Sequence, residues 1–366
     1  MTSIEIATGF DPEQHFTDEV KSLLDGGARL NIIMAGKLGV GKSSLLNGIF
    51  GTDEAPTGVG ASVTTRIKRY PLAGSPIAIY DTPGIELGRD HQGVIGDYLA
   101  EIRKNASDPD RRIHFALYCI NSNGSRYEDF ELDVIRQLAT ELPVFVVLTQ
   151  CLGPEDPRAL DLARKIDELG VPMQEGHVFR VLARPLTFGP ATLAPFGLPE
   201  LVEAIYRALP EAAARTWASH QRVSLAVKVA EAQSVVRVNA ATAAGIAALP
   251  LPILDAIPLS ALQFSMLAKI TTTFGLKVDI KALVVGLAGI MGIAAVARQV
   301  ARGLLNFFPV VGNAINAGIA AQITQQMGNA YIKAGQAICL RQIAGETVSN
   351  DVTAEILAEF KNMWQG

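Results

Sequence analysis

Gly36-Lys37-Leu38-Gly39-Val40-Gly41-Lys42-Ser43 fits G-x-x-x-x-G-K-[ST], and it stands between an apolar run, Leu30 to Ala35, and a run with apolar residues at helical spacing, Ser43 to Ile49. A polyphosphate needs several donors converging on it. Glycines let backbone N–H groups turn inward, the helix that follows directs its positive end at the anion, and the Lys42 ammonium adds a point charge. Leu38, Gly39, Val40, Gly41, Lys42, Ser43 and Ser44 are therefore the expected phosphate contacts, with the Ser43 hydroxyl placed to hold magnesium.

A second chemical signal follows 39 residues after Lys42, where Pro76-Ile77-Ala78-Ile79-Tyr80 runs into Asp81-Thr82-Pro83-Gly84. A carboxylate at the end of a buried strand can bind magnesium through its water shell, and the Gly84 N–H can approach a terminal phosphate and sense it. Between the two signals lies Gly58 to Arg66. There a threonine, Thr65 first and Thr64 second, can offer its hydroxyl to magnesium and its N–H to the γ-phosphate, so that the loop orders only around a triphosphate.

Phosphate loop, threonine loop and Asp-Thr-Pro-Gly, in that order and spacing, resemble the translation-factor-related GTPases, within them the Era-like and TrmE-like branch. The resemblance covers about residues 28 to 210. It implies GTP and GDP as ligands, magnesium as cofactor, and hydrolysis of GTP to GDP and phosphate. It also locates the base site after the strand Phe145 to Leu148, where relatives carry Asn/Thr-Lys-x-Asp and this chain carries Thr149-Gln150-Cys151-Leu152. The carboxylate that accepts from guanine N1 and N2 is missing, so guanine preference is inherited from the resemblance. Gln150 can pack its stem over the base, and Ala183 in Val181-Leu182-Ala183-Arg184 stands for the alanine of the last motif. Ile85, where many relatives orient water with glutamine, and Gly39, where potassium-dependent relatives carry asparagine, imply slow hydrolysis. That hydrolysis would be raised by a dimer partner, an activating protein or the second domain. Lys37, Arg66, Arg89 and Arg103 are the basic candidates near the switches, each weighed against a solvated surface charge.

The elements that must position these residues alternate strand and helix. Strands are expected at Leu30 to Ala35, Ile67 to Leu72, Pro76 to Tyr80, His114 to Ile120, Val144 to Leu148 and Val178 to Leu182. Helices are expected at Ser43 to Ile49, Glu128 to Thr140, Pro157 to Leu169 and Glu200 to Leu209. The fold class is α/β, a mostly parallel sheet with helices on both faces and one antiparallel edge, followed by an all-α region. Three domains follow: an N-terminal helical extension at 1–27, the nucleotide domain at 28–210 and a helical domain at 211–366.

With 366 residues and a net charge of −4, the chain offers no Lys/Arg stripe for nucleic acid. Cys119, Cys151 and Cys339 lack metal-ligand spacing and read as reduced core or near-core thiols, which favours the cytoplasm. Residues 1 to 27 carry Asp11, Glu13, Asp18 and Glu19 and do not read as a signal peptide.

After Pro210 a helical run to about Leu249 is expected, then a break at Pro250, Pro252 and Pro258, then helices at about Ser260 to Phe274, Val278 to Arg298, Val310 to Met327 and Ser349 to Trp364. Ala282 to Ala297 is sixteen residues without a charge, and Gly303 to Ala321 is nineteen. Sixteen helical residues reach roughly 24 Å, short of a hydrocarbon core of about 30 Å. Small residues four apart, Ala288 with Gly292, Ala314 with Gly318 and Ala317 with Ala321, permit close helix packing in a membrane or in a soluble bundle. Association with the inner face of the membrane through these helices, with Glu211 to Val238 as an amphipathic stalk, stands beside a soluble hairpin.

Pro250 to Gln263 together with Phe308 to Ala317 resemble the YcjF-type helical domain of bacteria over about residues 215 to 345. That family is described as membrane-associated and carries no known catalytic residue; Asp255 and Gln263 read as polar anchors in a bundle. A nucleotide switch coupled to a helical membrane- or partner-binding domain is the leading expectation. A nucleotide-binding scaffold with little turnover, and an ATPase, are the alternatives.

Overall fold

A computed structural model describes residues 11–25, 28–52, 67–82, 91–124, 126–248, 256–290, 311–343, 346 and 348–365. The chain divides into two compact units. One is Gly27–Val227; the other joins Met1–Gly26 to Lys228–Gly366.

The first unit is built on six strands, β1 (Leu30–Gly36), β2 (Lys68–Pro71), β3 (Ile77–Asp81), β4 (Ile113–Asn121), β5 (Val144–Thr149) and β6 (Phe179–Arg180), in the spatial order β2-β3-β1-β4-β5-β6. All neighbours are parallel except β2 and β3, the expected antiparallel edge. Strands buried on both faces read as continuous apolar runs, and the alternation sorts them. Leu30, Ile32, Phe115, Leu117, Phe145 and Val147 face one core, Ile33, Ala35, Ala116, Tyr118, Val146 and Leu148 the other. Helices α2 (Lys42–Phe50), α6 (Leu198–Ala208) and α7 (Glu211–His220) cover the first face; α3 (His91–Asn105), α4 (Asp129–Leu138) and α5 (Pro157–Glu168) cover the second. The parallel register pairs Met34 with Asp81, Gly36 with Cys119 and Asn121 with Thr149, so the C-terminal ends of four strands come out together. A two-stranded hairpin, β7 (Leu186–Phe188) with β8 (Ala191–Leu193), was not expected from the sequence.

The expected boundary at residues 210 and 211 is corrected. Trp217 of α7 is fully buried in the first unit, its ring edge-on to Phe50 and Phe115 at 5.6 and 5.8 Å, and its indole N–H donates to the Val202 carbonyl at 3.0 Å. The expected helix from Glu211 to Leu249 is two helices, α7 and α8 (Leu225–Ala248). Buried Gln221 makes the break: its Oε1 accepts from the N–H groups of Val223 and Ser224 at 2.8 Å, and Ser224 Oγ accepts from Val227 N–H at the start of α8. The division between units falls in the first turn of α8.

The 1–27 extension is likewise corrected. Its helix α1 (Pro12–Asp25) belongs to the helical unit, with Phe16 fully buried, His15 Nε2 3.1 Å from the Ala261 carbonyl, and Glu19 paired with Lys269 at 3.3 Å. The remaining helices are α9 (Ala256–Phe274), α10 (Ile280–Ile290), α11 (Val311–Ile343) and α12 (Thr353–Gln365). Gln263 anchors the bundle as expected, donating to Thr324 Oγ1 at 3.3 Å, and Thr271 meets the Tyr331 hydroxyl at 2.9 Å. Asp255 lies outside the described residues. Among the described residues the expected close approach at Gly318 is not made, since a Cβ there would meet none of them within 4 Å. It is made instead at Gly328 against Val236 and at Gly335 against Phe274. Among the described residues no helix is long and apolar enough to cross a membrane.

Candidate functional site

The four strand ends lie at the end of the sheet where open α/β folds hold ligands. β1 delivers the chain into it at Gly36, whose φ is +131° and where a Cβ would stand 2.3 Å from the Cys119 carbonyl oxygen; only glycine fits. The turn closes at Gly41, φ +98°, the N-cap of α2, which makes no side-chain capping bond. Among the described residues no side chain caps the first N–H groups of α2, which point with the helix dipole toward an anion.

Lys42 arches back over the loop, its ammonium donating to the carbonyls of Gly36 at 3.0 Å and Lys37 at 2.9 Å. Burial lowers its pKa, opposed by the nearby Cys119 and Asp81. Asp81, at the end of β3, and Ser43, in the first turn of α2, supply a carboxylate and a hydroxyl oxygen, the hard donors that magnesium takes. Thr82 fixes the chain beyond Asp81 by donating from its buried hydroxyl to the Met34 carbonyl at 2.7 Å. Cys119 is fully buried and its thiol is pushed up to about 12 by burial, so it is no nucleophile; Cys151 and Cys339 are buried as well. Leu38 is exposed, and Ser44 lies in the first turn of α2.

The sequence-predicted base-site residues also come to this edge. Thr149 Oγ1 donates to the Val40 carbonyl and lies 3.2 Å from that of Ile120, tying the end of β5 to the loop. Gln150, at φ +58°, donates from Nε2 to the Gly39 carbonyl at 3.2 Å, while Asn121 and Asn123 each offer an Nδ2 to its Oε1 at 3.5 Å. Its amide therefore holds the phosphate loop. Ala183 packs against α2 at Gly48, where a Cβ would meet its carbonyl at 2.8 Å. Thr64, Thr65, Arg66, Gly84, Ile85 and Arg89 lie outside the described residues.

Arg103 takes the surface-charge alternative: exposed, it pairs with Glu141 at 2.7 Å, just ahead of β5 and so at the opposite end of the strands from the loop. Sequence reasoning also missed the partner of Lys37. Its ammonium donates to Glu131 Oε2 at 3.1 Å, stands 3.8 Å from Glu128 Oε1 and lies 5.2 Å over the Phe130 ring. Glu128 and Glu131 form the capping box of α4, a pattern visible as Glu-x-x-Glu ahead of an apolar run. Nothing in the sequence ties it to the loop.

Residues 31–150 match a family model described as 50S ribosome-binding GTPase. The tRNA modification GTPase MnmE of Ruegeria sp. (strain TM1040) is 32% identical over 128 residues, covering 29% of this chain and 30% of the relative. The chain thus spans less than a third of that curated relative. Among solved structures, a probable GTP-binding protein engB is similar at 18% identity over 49% of this chain and 97% of its own, with a TM-score of 0.35. An Era variant from Aquifex aeolicus bound to GDP.AlF4- is similar at 23% identity over 58% and 66%, also with a TM-score of 0.35. The first unit carries a P-loop GTPase domain with a mostly parallel sheet, and a helical C-terminal region follows it.

Proposed function

We propose that the protein is a magnesium-dependent GTP-binding switch with slow intrinsic hydrolysis, whose nucleotide state is passed to a helical membrane- or partner-binding unit. The observation that carries this reading is the arched Lys42 at the head of α2, whose glycine N-cap makes no side-chain bond, with Asp81 close enough to act on its charge. In it Lys42 neutralises β- and γ-phosphate charge and Ser43, Thr65 and Asp81 hold magnesium. The segments with Thr65 and Gly84 order on the γ-phosphate. Phosphoryl transfer asks mainly for positioning and charge neutralisation. Ile85 offers no hydrogen bond to a water, so turnover rises only with a group from a dimer partner or an activating protein.

Titrating the full chain with fluorescent GDP and with a non-hydrolysable GTP analogue, each with magnesium, tests the site. Lys42→Ala is expected to weaken both at least 100-fold; affinity retained in that variant overturns the reading. A surface contact with lipid, supported by the exposed Val238, Val285, Ile319 and Ile323 and by the likeness to YcjF-type domains, is read by flotation with anionic liposomes in each nucleotide state. A nucleotide-binding scaffold is the second reading, supported by the absence of a carboxylate from Thr149 to Leu152. It would keep GTP unhydrolysed for hours.

A further inference from the structure

Glu131 is a carboxylate only 1% exposed, at the third position of α4. Its Oε2 accepts from the Glu128 N–H at 2.9 Å and from the Lys37 ammonium at 3.1 Å; its Oε1 is buried with no hydrogen bond among the described residues. Lys37 is also the residue whose carbonyl receives Lys42 at 2.9 Å. One lysine of the phosphate loop is therefore fastened by its side chain to α4 while its backbone supports the other lysine. We propose that Glu131 is a positioning residue for nucleotide binding, holding the phosphate loop in its binding shape through Lys37. The inference rests on the phosphate-site reading above.

The physical case is a conflict between stability and charge. Burial raises the Glu131 pKa, against the lowering effects of the Glu128 N–H and Lys37. A carboxyl with a raised folded pKa makes its largest contribution to stability while protonated, and that contribution is lost as pH rises through the folded value. The ionised form is thus a burden on folding, and a neutral glutamine would keep the bond to Glu128 N–H without it. What glutamine cannot supply is the charge that fixes Lys37. The groups facing Glu131 are Lys37 from the loop, Glu128 from α4 with Arg126 3.6 Å from it, and Tyr118 from β4. Burial raises the Tyr118 hydroxyl, so it stays neutral.

The test compares the wild-type chain, Glu131→Gln, Lys37→Met and the double variant by fluorescent GDP titration with magnesium and by thermal melting without nucleotide. Glu131→Gln is expected to melt no lower than wild type at pH 8 and to bind about tenfold more weakly. Lys37→Met should weaken binding to a similar degree, and the double variant no further. As pH falls through the raised pKa of the Glu131 carboxyl, wild type should lose affinity relative to Glu131→Gln. Binding by Glu131→Gln within twofold of wild type overturns the proposal, as does a parallel loss of melting temperature and affinity, which is the mark of a structural residue. Failure of the wild type itself to bind overturns the phosphate-site reading first, so the two failures are told apart.

Discussion

Beside the phosphate loop, Gln150 after β5 and Asn121 and Asn123 at the end of β4 offer carboxamides, and Thr149 to Leu152 hold no carboxylate. Asp156 is the near candidate, but its side chain is 6% exposed and accepts from the N–H groups of Leu152 at 3.2 Å and Arg158 at 3.1 Å, capping α5. Guanine presents N1–H and N2–H donors, which a carboxylate accepts far better than a carboxamide. In the proposed switch GTP and ITP, which differ only in that N2 amine, should therefore compete nearly equally against fluorescent GDP. Leu152→Asp should raise the preference for GTP about tenfold, or ~1.4 kcal/mol. An unchanged ratio would show that residue 152 does not face the base. Lys42, Ser43 and Thr149 were legible because their spacing is local. The Lys37–Glu131 pair spans 94 positions, and one sequence holds no signal for it.

At the scale of elements, β1, β3, β4 and β5 could be read because each is an apolar run ended by glycine or a polar residue, and the mostly parallel sheet followed from their alternation with helices. The break between α7 and α8 could not. Gln221-Arg222-Val223-Ser224 contains neither glycine nor proline, and the chain turns there because a buried glutamine side chain satisfies the backbone that a helix would have paired. The Arg222 N–H is meanwhile taken by the Ile49 carbonyl of α2 at 2.9 Å. The element after Pro210 is thus part of the nucleotide domain. Trp217→Ala is expected to destabilise residues 27–227 by about 3–5 kcal/mol, measured by urea denaturation. A loss under 1 kcal/mol would place α7 outside the cooperative unit.

Over the whole molecule, both flanks of the nucleotide domain contribute to one helical unit. Removal of residues 1–26 should lower the melting of that unit, because Phe16 leaves its core and Lys269 loses Glu19, while nucleotide affinity stays within twofold of the full chain. Calorimetry with and without nucleotide reads the two effects apart. No periodicity in α1 announced this, since an amphipathic helix shows that it has a partner and not which one. The pairing also sets an order on synthesis. α1 leaves the ribosome well before α9, since His15 meets Ala261 only 246 positions later. At roughly 5–20 residues per second it waits on the order of tens of seconds. Throughout that wait Phe16 has no core to enter, and the nascent chain must shield an amphipathic segment until its partner helix α9 has been made.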